Sequence, residues 1–278
     1  MEYLYHYTSL ETFALIVKNK TLCFNNLLNV DDLEEAMSKD MGAFGRFVYV
    51  SCWTDDAEES IPLWNLYTPD MHGVRIRLPI NPFEKYYYKK GELFFEEDTE
   101  TYINCQRLYD ENKMSIVANS PVLTQIEYTN ENDKLYPQVK KESFSGATQI
   151  FLKAQSMEDL KGKEVNVNYS FEKVGKYKRN NWSFQREWRY IITVSPMGLK
   201  EMNPPTLEKQ QEMIKRIEDR NSEVICQRLF LNLSKKAFDD FEVIFGPKMT
   251  EAEKIMAEAL IKQYAPKCKY RDSNLKIR

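Results

Sequence analysis

The chain opens on Tyr3-Leu4-Tyr5-His6-Tyr7, an alternating aromatic run, and passes without a break into Thr8-Ser9-Leu10-Glu11. The alternation predicts a half-buried strand. Thr8 and Glu11 have the spacing of a capping box, so a helix is predicted to start there, with Leu10, Phe13, Ala14 and Val17 on one face. A strand that runs straight into a helix commits the chain to mixed α and β packing from its first residues. It also puts His6, one of two histidines, beside a helix N-terminus whose free N–H groups favour anions and polar ligand atoms. The plainer reading of such a histidine is a hydrogen bond to a neighbouring turn.

Further strands and helices follow the same logic. Phe47 to Trp53 is rich in β-branched and aromatic residues and predicts a strand. Ile61 to Tyr67 predicts a short helix with Pro62 in its first turn and Trp64 and Tyr67 on one face. Val74 to Leu78 predicts a strand with Arg75 and Arg77 on one side. Residues 81–174 are less regular, with helices expected near 99–118 and 142–160, and read as a mostly helical elaboration of one domain spanning 1–278. Trp182 to Ile192 predicts a strand carrying Gln185, Glu187 and Arg189 on one face. Strands at Ile225 to Leu233 and Phe241 to Phe245, a helix capped by Thr250 and Glu253, and a basic final strand complete the pattern. The fold class expected is α+β, a single domain with a mostly antiparallel sheet flanked by helices.

Composition narrows the function classes. A net charge of −3 over 278 residues makes no global case for nucleic acid or an anionic membrane. The start lacks the basic-then-apolar pattern of a signal peptide and no stretch approaches a membrane span, so a cytoplasmic protein without membrane contact is expected. Five scattered cysteines read as free thiols, and with two histidines a zinc site is not expected. A Cys-His nucleophilic pair stays open.

Three groups of residues carry chemistry. Glu187, between Arg186 and Arg189 on an aromatic strand, is either an Arg-Glu pair closing the sheet or a fixed anion for a ribose hydroxyl or a developing positive charge. The basic run Lys173, Lys176, Lys178 and Arg179 beside Trp182 is a solvated loop or a contact for phosphates and a stacked base. The acidic cluster Asp31, Asp32, Glu34 and Glu35 is a solvated helix start or a set of oxygen donors for Mg²⁺.

Taken together, Leu4 to Ser9, Asp31 to Glu35, Ser51 to Trp53, Trp64 to Tyr67 before Gly73-Val74, Glu187-Trp188-Arg189 and Gly246-Pro247-Lys248 resemble the motifs of the bacterial family called domain of unknown function 2971. The resemblance spans nearly the whole chain and departs at Asp31-Asp32-Leu33, where the family has Asn-Asp-Pro. More distantly, the order His6, a tyrosine, Glu187 is similar to ADP-ribosyltransferases with a His-Tyr-Glu set, including DNA-modifying toxins. This similarity implies a split sheet, NAD as substrate, a nucleic-acid or protein acceptor, and a role as toxin or phage-defence effector. It implies His6 and Glu187 as catalytic residues. The tyrosine would be Tyr49, Tyr67 or another, and His6, Tyr7, Ser51, Trp64, Tyr67 and Arg189 would form the cofactor wall. The alternatives are a non-catalytic nucleotide- or protein-binding module, or a Mg²⁺-dependent nuclease using Asp32 and Glu35.

Overall fold

A computed structural model describes the chain except for residues 118–120, 142–148, 155–164, 222 and 278. Strand β1 (Tyr3–Ser9) leads directly into helix α1 (Leu10–Asn19), which is followed by β2 (Thr21–Asn26). The helix begins one residue later than the capping-box spacing predicts. Ser9, not Thr8, is the cap, its hydroxyl accepting from Thr12 N at 3.2 Å. β1 therefore extends to Ser9, pairing along its whole length with β4 (Gly73–Pro79).

The main sheet has ten strands. Besides β1, β2 and β4 these are β3 (Val48–Thr54), β5 (Ser115–Ile116), β6 (Val122–Gln125), β7 (Glu187–Ser195), β8 (Arg228–Asn232), β9 (Glu242–Phe245) and β10 (Lys269–Asp272). All pairings in it are antiparallel except that of β9 with β10. Arg75 and Arg77 lie on the face of β4 opposite Val74, Ile76 and Leu78, which belong to the main core with Phe13, Val17, Trp53 and Tyr190. Val48, Val50 and Ile191 face a second core with Phe44, Phe47 and Phe171. The central strands β3 and β7 are thus covered on both faces and are buried along nearly their whole length.

One register detail sets up everything that follows. β7 pairs with one edge of β3 from Glu187↔Thr54 to Thr193↔Val48. The other edge is shared: β2 meets it at Val50 and Tyr49, β1 only at Thr54. Between those contacts, Ser51 to Trp53 have no strand partner on that edge among the described residues. The sheet forks there, one arm continuing through β2 to β8 and the other through β1 to β4, β9 and β10. Helix α1 links the two arms.

Three expectations are corrected. The helix near 99–118 is only Cys105–Asn112, flanked by strands Thr99–Thr101 and Ser115–Ile116. Of the helix near 142–160, Gln149–Ala154 is a strand paired with Val165–Ser170, and the remainder lies outside the described residues. Tertiary pairing overrides local preference here. Finally, Asn180–Gln185 is a 3₁₀ turn, not strand, and Arg186 adopts a left-handed φ of 45° before β7 begins at Glu187. No helix among the described residues is long and apolar enough to cross a membrane.

Candidate functional site

The fork opens a cleft of about 540 Å³, lined by β1, α1, β2, β3 and the start of β7, within the usual size range of small-molecule sites. His6, Tyr7, Ser51, Tyr67, Glu187 and Arg189 all line it. A smaller recess of about 50 Å³ shares His6, Tyr7, Cys52, Tyr67 and Glu187 with it and adds Gln185. At the outer rim of the cleft stand the exposed side chains of Leu15, Phe230 and Arg228.

His6 fills the gap in the sheet. Its Nδ1 donates to the Cys52 carbonyl at 2.8 Å, taking the place of a missing ladder bond, and its ring packs on Trp53 with centroids 5.1 Å apart. A carbonyl only accepts, so Nδ1 carries the proton. Burial lowers the pKa of the imidazole, against the opposing pull of that carbonyl. The ring is therefore neutral, and Nε2 is a bare acceptor.

Tyr7 and Trp64 act through the helix they hold. Helix α2 (Ile61–Tyr67) starts at Ser60, whose backbone N–H donates to the Tyr7 hydroxyl at 2.9 Å. Trp64 is fully buried, edge-on to Tyr7 at 4.8 Å, and does not reach the cleft. Its expected place in the cofactor wall is corrected to that of a support behind Tyr7. Arg75 stacks 4.0 Å over Tyr5 and donates to the carbonyls of Asp56 at 2.6 Å and Ala57 at 2.8 Å, which fixes the loop before α2. The sequence face shared by Trp64 and Tyr67 thus divides: one residue anchors the helix and the other meets the cleft. Ser51 lines the cleft while accepting from Trp53 Nε1 at 3.0 Å.

Beneath the cleft lies a closed square of charge. Glu187 Oε1 accepts from Arg189 Nε at 2.5 Å, and Oε2 from Lys178 Nζ at 2.8 Å. Glu35 faces the same two cations, Lys178 at 3.2 Å and Arg189 in closer contact. All four side chains are at most 5% exposed. Burial alone would raise the Glu187 carboxyl, but Arg189 and Lys178 outweigh it and hold it down to about 2. Burial pushes Glu35 up against the same cations. Arg189 also donates to the Gly175 carbonyl at 3.1 Å, and among the described residues its buried Nη2 has no hydrogen-bond partner.

Comparison with protein-family models, with curated proteins and with solved structures gives no match.

The square corrects two readings of the sequence. Asp31 to Glu35 forms turns, not a helix start; Asp32 caps Glu34 N at 3.0 Å, and Glu35 is spent on Lys178 and Arg189. Asp32 and Glu35 are not an open pair of oxygen donors, and among the described residues no group of three His, Cys, Asp or Glu is placed to hold a metal ion. Likewise Lys178 points inward to the carboxylates and Arg179 to Glu34, so half of the basic run is committed within the fold. A Cys-His pair does not form at Cys52. His6 takes its carbonyl, and burial raises the thiol's pKa beyond nucleophilic use.

Lys178, Glu35, Gln185 and Cys52 complete the site and were not assigned to it from sequence. Gln185 left a signal there as the residue two before Glu187 on the predicted face, whereas Lys178 and Glu35 were read as members of the basic and acidic runs.

Proposed function

We propose that this cleft binds NAD, and that the protein breaks the bond between nicotinamide and ribose in an ADP-ribosyltransferase-like reaction. What carries the reading is the convergence at the fork: a neutral histidine with a bare acceptor, a tyrosine, and a permanently ionised glutamate border one recess. The cleft volume suits an extended ligand, and the rim residues Phe230 and Arg228 suit a base and a phosphate at its outer end.

In this reading the electron pair of the broken bond leaves with neutral nicotinamide, and positive charge develops on the sugar beside Glu187. A carboxylate offers about four acceptor directions, so its two cations do not exhaust it. Held rigid and dry by Lys178 and Arg189, it needs no reorganisation when charge develops, which is where fixed electrostatics contribute most. The ADP-ribosyl group then passes to an acceptor nucleophile, which loses a proton.

The test is incubation of the purified chain with labelled NAD, with and without nucleic acid and lysate protein, following nicotinamide release. Release above the rate of NAD alone supports the reading, and its absence under every condition rejects it. A second reading, a non-catalytic binding module, is favoured by one observation: the square is electrically closed without any ligand. NAD binding without release would select it.

Ligand affinity should also carry the mark of His6. Because its pKa lies below the ordinary 6.5, Nε2 stays unprotonated from neutrality down to that value and is lost as an acceptor only at lower pH. NAD affinity, measured by calorimetry, is expected to be flat over the first range and to fall in the second. A midpoint at or above 6.5 would contradict the downward shift that burial imposes on this imidazole.

A further inference from the structure

We propose that Gln185 is a positioning residue: clamped by Lys178, it fixes the Tyr67 hydroxyl as a donor into the recess, so that Tyr67 and His6 together select a ligand edge presenting an acceptor beside a donor. The chain of reasoning uses only which atoms can donate. Lys178 Nζ, 2.8 Å from the Gln185 side chain, is an ammonium with no acceptor capacity, so the amide must turn its oxygen to it. The amide nitrogen then faces Tyr67, donating to its hydroxyl oxygen at 2.7 Å. The orientation of the amide is fixed by chemistry rather than chosen between two equal fits.

The consequence falls on Tyr67. Its oxygen is already an acceptor, so its own proton must go elsewhere, and among the described residues no acceptor takes it. Burial raises the pKa of this phenol, which keeps the proton in place. The hydroxyl borders the same recess as His6, whose Nε2 is an acceptor because Nδ1 serves Cys52. One wall donates and the other accepts. A carboxamide matches that pattern; a carboxylate lacks the donor, and an amidinium lacks the acceptor. Leaving either wall unpaired in a buried recess is costly.

The inference rests on the reading that the ligand's reacting end enters this recess, yet binding alone tests it. Benzamide, benzoate and benzamidine would be titrated against the full chain by NMR. The wild-type chain is expected to bind benzamide at least about tenfold more tightly than either analogue. Gln185→Glu gives Tyr67 an acceptor for its proton and so turns the phenol oxygen towards the ligand as an acceptor; benzamidine should then become the preferred probe. Gln185→Leu removes the clamp without adding charge, leaves the phenol free to donate or accept, and should erase the preference for benzamide over benzamidine without inverting it. Tyr67→Phe, which leaves Lys178 and its carboxylates untouched, removes the donor wall and should bind benzamide no better than benzamidine, with benzoate still the weakest because His6 remains an acceptor. Wild-type order in Gln185→Glu and Tyr67→Phe, or equal binding of the three probes by the wild type, would overturn the proposal. If the probe order holds but NAD is never cleaved, only the catalytic reading fails; if NAD is cleaved without any probe preference, only the role of Gln185 fails.

Discussion

Glu187→Gln is expected to lower nicotinamide release by at least about a hundredfold, the scale seen when one preorganised electrostatic partner of a transition state is removed. The substitution keeps the shape of the side chain and removes the anion. It also turns an amide N–H₂ towards either Lys178 or Arg189, each of which now holds a carboxylate oxygen. Some loss of stability therefore accompanies the loss of turnover, and the two must be separated. Glu187→Asp does this. It retains the charge and withdraws it by one methylene, so the square keeps its neutrality while the carboxylate leaves its position beside the recess. Turnover in Glu187→Asp should fall by about a hundredfold with little change in the melting curve, since misplacement of about 1 Å is enough. A folded Glu187→Gln protein that turns over at the wild-type rate would make Glu187 an ion pair of the fold and nothing more.

The largest effect on stability is expected from Arg189→Met. Arg189 is fully buried and touches both Glu187 and Glu35. Without it two buried carboxylates share only Lys178, and leaving a buried charge uncompensated costs about 3–5 kcal/mol. Urea unfolding should show a lower midpoint with an unchanged slope. Adding Glu35→Leu to Arg189→Met removes the surplus negative charge and leaves the Glu187–Lys178 pair intact, so the double variant should be more stable than Arg189→Met alone. Strictly additive losses would mean that the four groups do not act as one network.

The fold was largely legible where period and caps agree. β1, β3, β4 and α2 follow directly from alternation or from a proline in the first turn, because each buries a face that its own sequence already marks. The residues that the sequence singles out on those elements, His6, Ser51 and Tyr67, line the cleft, as do Glu187 and Arg189 on β7. What the pattern could not carry is partnership. Glu35 and Lys178 look like solvated charges in the chain, since burial of a charge depends on counter-charges brought in by the fold, here Lys178 and Arg189 for Glu35, and Glu35 and Glu187 for Lys178. Trp64 was read as a wall residue because an aromatic side chain that supports a helix and one that meets a ligand are written with the same letter; Tyr7 does both. Gln185 was placed on the correct face for a reason that does not hold: it reaches the recess through the 3₁₀ turn and the left-handed Arg186, not through strand alternation.

The central claim is that the fork of the sheet, with His6 at its apex, receives the ligand. With two histidines in the chain, labelled imidazole nitrogens give two sets of NMR signals, assigned by a His72→Asn variant. Titration with NAD should shift the Nε2 resonance of His6 as that atom gains a donor, while Nδ1 keeps its proton to the Cys52 carbonyl. Saturation with NAD that leaves the His6 resonances unmoved would contradict the account.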